Sequence, residues 1–538
     1  MAETDYIIVG AGSAGCVLAE RLTKSGKHRV TLIEAGGSDA RFYVHLPLGY
    51  GKLFYDPAVN WLYKTEPDPG LNGNRDHWPR GKILGGSSSI NAMVYTRGHA
   101  QDYADWGAAG NPGWGWDAVL RAYREIEDTE AGGDAWRGAG GPLFVSANRT
   151  GLHPLVANYV AACGEAGLPF NADFNGEHQE GAGPYQMTIK NARRNSAARA
   201  FLRPALGRAN LAVITNAQVT RVVSEAGRAL GVEYVRGGQR TVLRANGEVI
   251  LAGGAINSPQ LLQLSGIGPG ALLQGLGIGV VVENANVGDH LTDHQGVNYT
   301  YRMTQPTYND ELRPWWGKLR AGLQYVLGGR GPLAKSINHG GGFFRTSPDL
   351  ARPNMQLYMQ AFSTLLPRDG ERPVLTPDPF SGLSLGLSNC RPTSRGHIRI
   401  ASADPLVHPK IVANAFSTDH DMAEMLAAVK FLRKLAAQPS MARVIAEELR
   451  PGPECVTDDA LIADFRARSG TVYHPSCTCR MGPDMAASVV DARLRVHGVP
   501  GLRVIDASVF PNLIAGNTNA PAMMVGWKGA EIVLADAR

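Results

Sequence analysis

The period of apolar positions changes several times along the chain, and the first change is the most informative. Tyr6–Val9 is a continuous apolar run too short for a helix, and Arg29–Glu34 (RVTLIE) is a second. Between them Ala14, Val17, Leu18, Arg21 and Leu22 mark one face at helical spacing. Residues 6–36 therefore predict a β-α-β unit whose two strands are parallel and buried. Residues 205–255 read as several strands with turns (LAVITNAQVTRVV, GVEYVRGG, EVILAGGA). Asp421–Gln438 carries the pattern of an amphipathic helix, GLRVIDASV that of a buried strand, and Pro521–Ala537 that of a terminal helix. Gly36 to Asn111 has no sustained period and exceeds an ordinary loop, which points to a functional segment.

Length allows two or more domains, since 538 residues is well above the roughly 100–200 of one domain. With 44% hydrophobic and 19% charged residues, the chain falls in the globular class and outside the disordered and fibrous ones. Its 65 glycines follow no fixed period, so they indicate tight turns and close backbone approach to a ligand. The net charge of +5 is spread without a run of five like charges, so neither nucleic acid nor a membrane footprint is expected. Small molecules are the expected partners. Six cysteines in so long a chain form no disulfide framework, and Cys477-x-Cys479 has no second pair at ligand spacing, so no metal is expected. The start, MAETDYIIVGAG, lacks a basic leader, and no stretch near 18 apolar residues occurs. The expectation is a cytoplasmic protein with no integral membrane segment.

Gly10-Ala11-Gly12-Ser13-Ala14-Gly15 matches G-x-G-x-x-G, follows a strand, opens a helix, and is answered by Glu34 at the end of the second strand. That context makes it a dinucleotide fingerprint. Gly12 lets backbone reach a pyrophosphate, Gly15 allows the helix to pack on the strand, and Glu34 accepts from ribose hydroxyls. A carboxylate there disfavours NADP, and the extreme N-terminal position favours FAD.

Four segments together resemble the glucose–methanol–choline (GMC) family of FAD-dependent oxidoreductases. They are the fingerprint, PRGKILGGSSSINAMVYTRG, GAINSPQLLQLSGIG, and YHPSCTCRMG followed by GLRVIDASVFPNLIAGNTNAPAMM. The stretch FNADFNGEHQEGAGPYQMTIKNARRNSAARAFLRPALGR is further similar to bacterial sorbose, polyol and alcohol dehydrogenases of that family. The resemblance implies an α/β fold, α+β overall. A Rossmann-like FAD-binding domain (1–155, 205–300, 465–538) would be interleaved with a substrate domain (156–204, 301–464) built on an antiparallel sheet flanked by helices. It places flavin against Gly86, Ser87 and Asn91–Val94 (Asn91, Ala92, Met93, Val94), adenine against Val219, and further cofactor contacts at Ala35, Asp506, Ala507, Asn519 and Ala520. Members that attach FAD covalently carry His where this chain has Ile90, so non-covalent FAD is expected.

The resemblance also carries the family's catalytic pair onto His474 and Asn519. The residue types suit the chemistry: a neutral imidazole takes the hydroxyl proton of an alcohol while a neighbouring donor stabilises the developing alkoxide. A pocket carboxylate of choline-oxidising members falls on His339, which disfavours choline and favours a neutral alcohol, polyol or sugar. Tyr473 and Trp61 are further candidates for the substrate pocket. The expected activity is FAD-dependent oxidation of a hydroxyl to an aldehyde or ketone, with electrons passed to a quinone-type acceptor. An O₂-using oxidase releasing H₂O₂, a hydroxynitrile-lyase-like enzyme without net redox, and a non-catalytic flavin module are the alternatives.

Overall fold

The computed structural model describes residues 4–365 and 376–537. Short strands with no polar alternation need cover on both faces, and they form a parallel sheet. Its order is Leu211–Ile214, Val30–Ile33, Tyr6–Val9, Glu248–Leu251, Leu502–Val504. Tyr6 pairs with Val30 on one side and Glu248 on the other, which fixes the β-α-β crossover. The crossover helix Ser13–Thr23 packs along the helix Asn519–Asp536, so the first and last helices of the chain are neighbours. An antiparallel ribbon of Ala217–Glu225, Arg228–Arg236 and Gln239–Arg244 packs on strand 248–251.

The second layer is antiparallel. Ile445–Arg450, Gln295–Met303, Gly382–Asn389, Met355–Gln360, Asn338–Phe344 and Gly181–Pro184 follow one another, and Gly470–Thr471 pairs beside 295–303. Helices Leu155–Glu165 and Asp419–Ala436 lie against it, and each sheet has its own apolar cluster. Strand 295–303 runs across the expected border at 300, and strand 470–471 lies beyond the one at 465, so both belong with the antiparallel sheet. The reason is pairing: a strand joins the sheet that satisfies its backbone, whichever apolar pattern flanks it. The segment 36–111 carries short helices, turns and one antiparallel pair, Tyr63–Lys64 with His77–Trp78, and it meets the loop after the first strand where Gly85 N donates to Ala11 O at 2.7 Å.

Candidate active site

Backbone pairing brings the chemistry together. Because Gln295 pairs with Thr471, Val472 N donates to His294 O at 3.1 Å, and His294 meets His474 from 180 positions away. Between them the chain turns at Tyr473, whose φ of +72° is left-handed, a conformation that costs a non-glycine residue about 1–3 kcal/mol and persists only when its surroundings impose it. Asp293 Oδ1 accepts from His474 N at 2.8 Å, its other oxygen takes the Thr471 hydroxyl, and Thr471 Oγ1 accepts from Tyr473 N at 2.7 Å. Arg80 Nη2 donates to Tyr473 O at 2.6 Å.

The hydrogen bonds dictate the histidine tautomers. His294 Nε2 lies 3.0 Å from Cys390 O, which can only accept, so Nε2 carries the proton and Nδ1 is a lone pair. His474 Nδ1, 3.0 Å away, is then the donor, and His474 Nε2 is left with its lone pair. Burial first, then His294 and Arg80, hold the His474 imidazole well below its usual range, and burial holds His294 at about 4. Both rings are neutral at pH 7. The group facing His474 Nε2 is Asn517 Nδ2, at 3.1 Å. Gln356 Nε2 donates to Asn517 Oδ1 at 3.2 Å, and Asn517 N donates to Thr96 Oγ1 at 2.7 Å, so the carboxamide has its donor end towards the imidazole.

Asn517, not Asn519, is therefore the amide beside His474. Asn519 begins the C-terminal helix, and its Oδ1 accepts from Ser13 Oγ at 2.7 Å, at the fingerprint helix. The start of the helix separates the two: Asn517 points to the imidazole just before the N-cap Thr518, and Asn519 is already in the first turn. GNTNAP holds both asparagines, so the motif was a signal for the pair without deciding between them. His294, Asp293 and Arg80 carried no such signal.

A cavity of about 530 Å³ runs from the fingerprint to His474. Gly10, Gly12, Ser13, Ala14, Glu34 and Ala35 line one end, with Val219. Gly86, Ser87, Asn91–Val94, Asp506, Ala507 and Asn519 line its middle. Gly15 and Ala520 do not reach it: a Cβ on Gly15 would stand 1.9 Å from Gly10 O, which is its packing role. Gly86 has φ +52°, and a Cβ there would stand 2.7 Å from Gly12 Cα. That contact lets the two glycine-rich motifs meet.

These surroundings fit a flavin dinucleotide. The helix Ser13–Thr23 has no side-chain cap at Gly12, so its first N–H groups face the cavity end without an internal acceptor. Glu34 accepts from Ala11 N and Gly36 N, both at 2.8 Å, and keeps lone pairs for hydroxyl donors. Burial pushes its carboxyl up to about 7. Asn91 Oδ1 is fixed by Arg194 Nη1 at 2.7 Å and Met93 N at 3.1 Å. Ile90 is buried among Val44, Leu53, Val59 and Ile83 and offers no nucleophile.

Of the substrate candidates, Tyr473 lines the cavity and packs on Phe54, and Trp61 lines it while stacking on Tyr63 beneath Lys82 Nζ. His339 does not line it. It is buried behind the strand, where Nδ1 accepts from His153 N at 3.2 Å and burial lowers its pKa to about 3. Successive strand residues face opposite ways, and the irregular register between Asn338 and Gly340 leaves Asn338 on the cavity side. Asn338 Oδ1 accepts from Gln360 Nε2 at 2.7 Å, and Asn298, Thr300 and Ser384 complete this wall. Among the described residues that wall carries no charge. Cys477 and Cys479 are buried thiols, and His497 Nε2 lies 3.0 Å from Ser488 Oγ, away from the cavity.

Comparison with known proteins agrees with this architecture. Residues 4–296 and 392–526 match the N-terminal and C-terminal parts of the family described as GMC oxidoreductase. The chain is 42% identical over 534 residues to "Alcohol dehydrogenase [acceptor]" of Pseudomonas putida, covering 98% of this chain and 95% of the relative. It is 41% identical to the mitochondrial choline dehydrogenase of Homo sapiens, covering 99% and 90%. Among solved structures, pyridoxine 4-oxidase from Mesorbium loti superposes with a TM-score of 0.89 at 30% identity, covering 98% and 99%. Formate oxidase superposes at 0.92 with 25% identity, covering 99% and 98%. By sequence and by fold the chain belongs to the GMC oxidoreductase family, FAD-binding oxidoreductases that act on CH–OH donors.

Proposed function

We propose that the protein oxidises the hydroxyl of a neutral alcohol or polyol to an aldehyde or ketone, with non-covalent FAD and a quinone-type electron acceptor. One observation carries this reading: the neutral His474 Nε2 lone pair and the Asn517 Nδ2 donor stand 3.1 Å apart, at the far end of a cavity that begins at the dinucleotide fingerprint. FAD, when bound, supplies the two-electron acceptor for the hydride leaving the carbinol carbon. His474 Nε2 accepts the hydroxyl proton, and His294 Nδ1 steadies the resulting imidazolium by accepting from His474 Nδ1. Asn517 Nδ2 donates to the oxygen as it gains negative charge, and it cannot compete for the proton.

The substrate class follows from the wall opposite. Asn298, Thr300, Asn338, Gln360 and Ser384 can hydrogen-bond hydroxyls, whereas a quaternary ammonium takes no hydrogen bond and finds no carboxylate there. That supports a hydroxylated neutral substrate over choline, although choline dehydrogenases stand among the relatives. The acceptor reading is supported by the dehydrogenase named with an acceptor, at 42% identity.

Anaerobic mixing of the holoenzyme with a panel of primary alcohols, polyols and choline tests the proposal. Flavin absorbance should bleach with a neutral alcohol and return slowly in air but promptly with a quinone. Failure of every alcohol to bleach it would leave a lyase or a flavin-binding module. Prompt return in air would make the protein an oxidase, and choline matching the alcohols would remove the pocket argument. Acid precipitation should release the yellow colour into the supernatant, since nothing at Ile90 can hold FAD covalently.

A further inference from the structure

One helix is turned the opposite way to an ordinary surface helix. Trp315–Gly328 has 14 residues, and the only ones buried are the small Gly317 and Ala321. Its large apolar side chains face outward instead: Trp315 is 76% exposed, Val326 74%, Leu327 82%, and Trp316, Leu319 and Leu323 are each more than half exposed. At about 100° per residue these six fall within an arc of about 120°, roughly opposite Gly317 and Ala321. Exposed apolar residues scattered singly are ordinary, but six contiguous ones mark a surface that is covered in use.

The charges around the arc say by what. Lys318 and Arg320 border it on its two sides, Arg313 precedes it and Arg330 follows it, all exposed. No Asp or Glu occurs from Arg313 to Gly331. Arg193 and Arg199 lie beside Tyr325 on the flank of the same helix. We propose that this helix docks the protein peripherally on an anionic lipid surface, with Trp315, Trp316 and the leucines entering the headgroup boundary and the cations meeting lipid phosphates. A second copy packed helix on helix about a two-fold axis would bring Lys318, Arg320 and Arg330 of both copies to one interface, with no carboxylate from Arg313 to Gly331 to answer them and Glu311 already beside Arg320 of its own chain. The charge pattern thus selects lipid over self-association. After Gly331 the chain passes through the turn Pro332–Ala334 to Ile337 and Asn338, which line the active-site cavity. A docked bilayer would therefore lie near the segment that carries Ile337 and Asn338 of the cavity lining.

Co-sedimentation of the holoenzyme with vesicles tests this independently of its catalytic reading. The protein should partition onto phosphatidylglycerol-rich vesicles and not onto pure phosphatidylcholine. Leu323→Glu/Leu327→Glu should abolish that binding. Lys318→Glu/Arg320→Glu should weaken it more than about tenfold, as each surface cation is worth about fivefold. Salt at 0.5 M should act in the same direction. FAD content and turnover with a soluble acceptor should stay unchanged in both variants, which shows that they fold. Absence of binding to anionic vesicles, equal binding to neutral ones, or binding indifferent to these substitutions would overturn the proposal. So would a parental dimer in light scattering that the leucine variant splits, because the helix would then be covered by a second copy.

Discussion

In the proposed reaction His474 serves as the base because of what its other nitrogen does. The chain Cys390 O, His294, His474 fixes one tautomer, so the lone pair points at Asn517 without any titration near neutrality. His474→Ala should therefore retain FAD and slow anaerobic flavin reduction by about 10² to 10⁴. A rate within twofold of the parent would end the assignment. Asn517→Ala should slow the same step by about 10². Asn519→Ala, which loses only the Ser13 contact, should instead weaken FAD retention with a smaller effect on reduction. The reverse pattern would return the role to Asn519. Because burial keeps the His474 pKa well below 6.5, kcat/KM for a neutral alcohol should be flat from pH 7 upward and fall only on the acid side. An inflection above pH 7 assignable to this histidine would contradict the geometry.

At the scale of elements, the loop 471–474 depends on carboxylates from elsewhere. Asp76 Oδ2 accepts from Thr471 N at 2.6 Å, and Asp293 holds His474 N. Burial pushes Asp76 up to about 7 and Asp293 up to about 6. A carboxyl raised in the fold keeps its proton longer there than in the unfolded chain. Its contribution is therefore full below the unfolded value of about 4 and is lost as pH rises through 6 to 7. Asp293→Asn cannot ionise, so its Tm should fall less between pH 5 and pH 8 than the parent's, measured by calorimetry of the holoenzyme. A larger fall would refute the sign. The crossover helix makes a sharper demand. Gly15→Ala puts a methyl 1.9 Å from Gly10 O, and it should cost about 1–3 kcal/mol and lower FAD occupancy together, since one contact seats both helix and cofactor loop.

Across the whole molecule, distant segments are tied by a buried ionic cluster. Glu127 receives Arg97 Nε at 2.6 Å, Arg137 Nε at 3.0 Å and the Tyr95 hydroxyl, and Arg137 Nη1 reaches Asp173 Oδ2 at 2.5 Å. Arg97 continues the segment that carries Asn91–Val94, so the cluster braces the cavity wall from behind. Glu127→Ala leaves two buried guanidinium groups without their common partner, and should cost about 3–5 kcal/mol. Arg121→Ala removes exposed pairs with Glu125 and Glu531, and should cost about 1 kcal/mol or less. Equal shifts in thermal unfolding for the two variants would mean that burial is not what gives the cluster its weight.

The β-α-β unit, the fingerprint and the family's segments were legible from the sequence because their signals are local. Strand, turn, helix and Glu34 all lie within the first 36 residues, and periodicity plus glycine placement specify them. Ile90 was equally legible, since the absence of a nucleophile is a property of one position. What required the tertiary structure was every decision turning on which neighbour a side chain meets. Asn517 and Asn519 are two residues apart in one motif, and it is the helix starting between them, at Asn519, that sends one to His474 and the other to Ser13. His294 reaches His474 only through the pairing of Gln295 with Thr471. A register irregularity turns Asn338 to the cavity and hides His339. The helix Trp315–Gly328 shows the same limit. An amphipathic pattern states that two faces differ, but which face packs inward depends on how closely the neighbouring backbone approaches, and here it admits only Gly317 and Ala321.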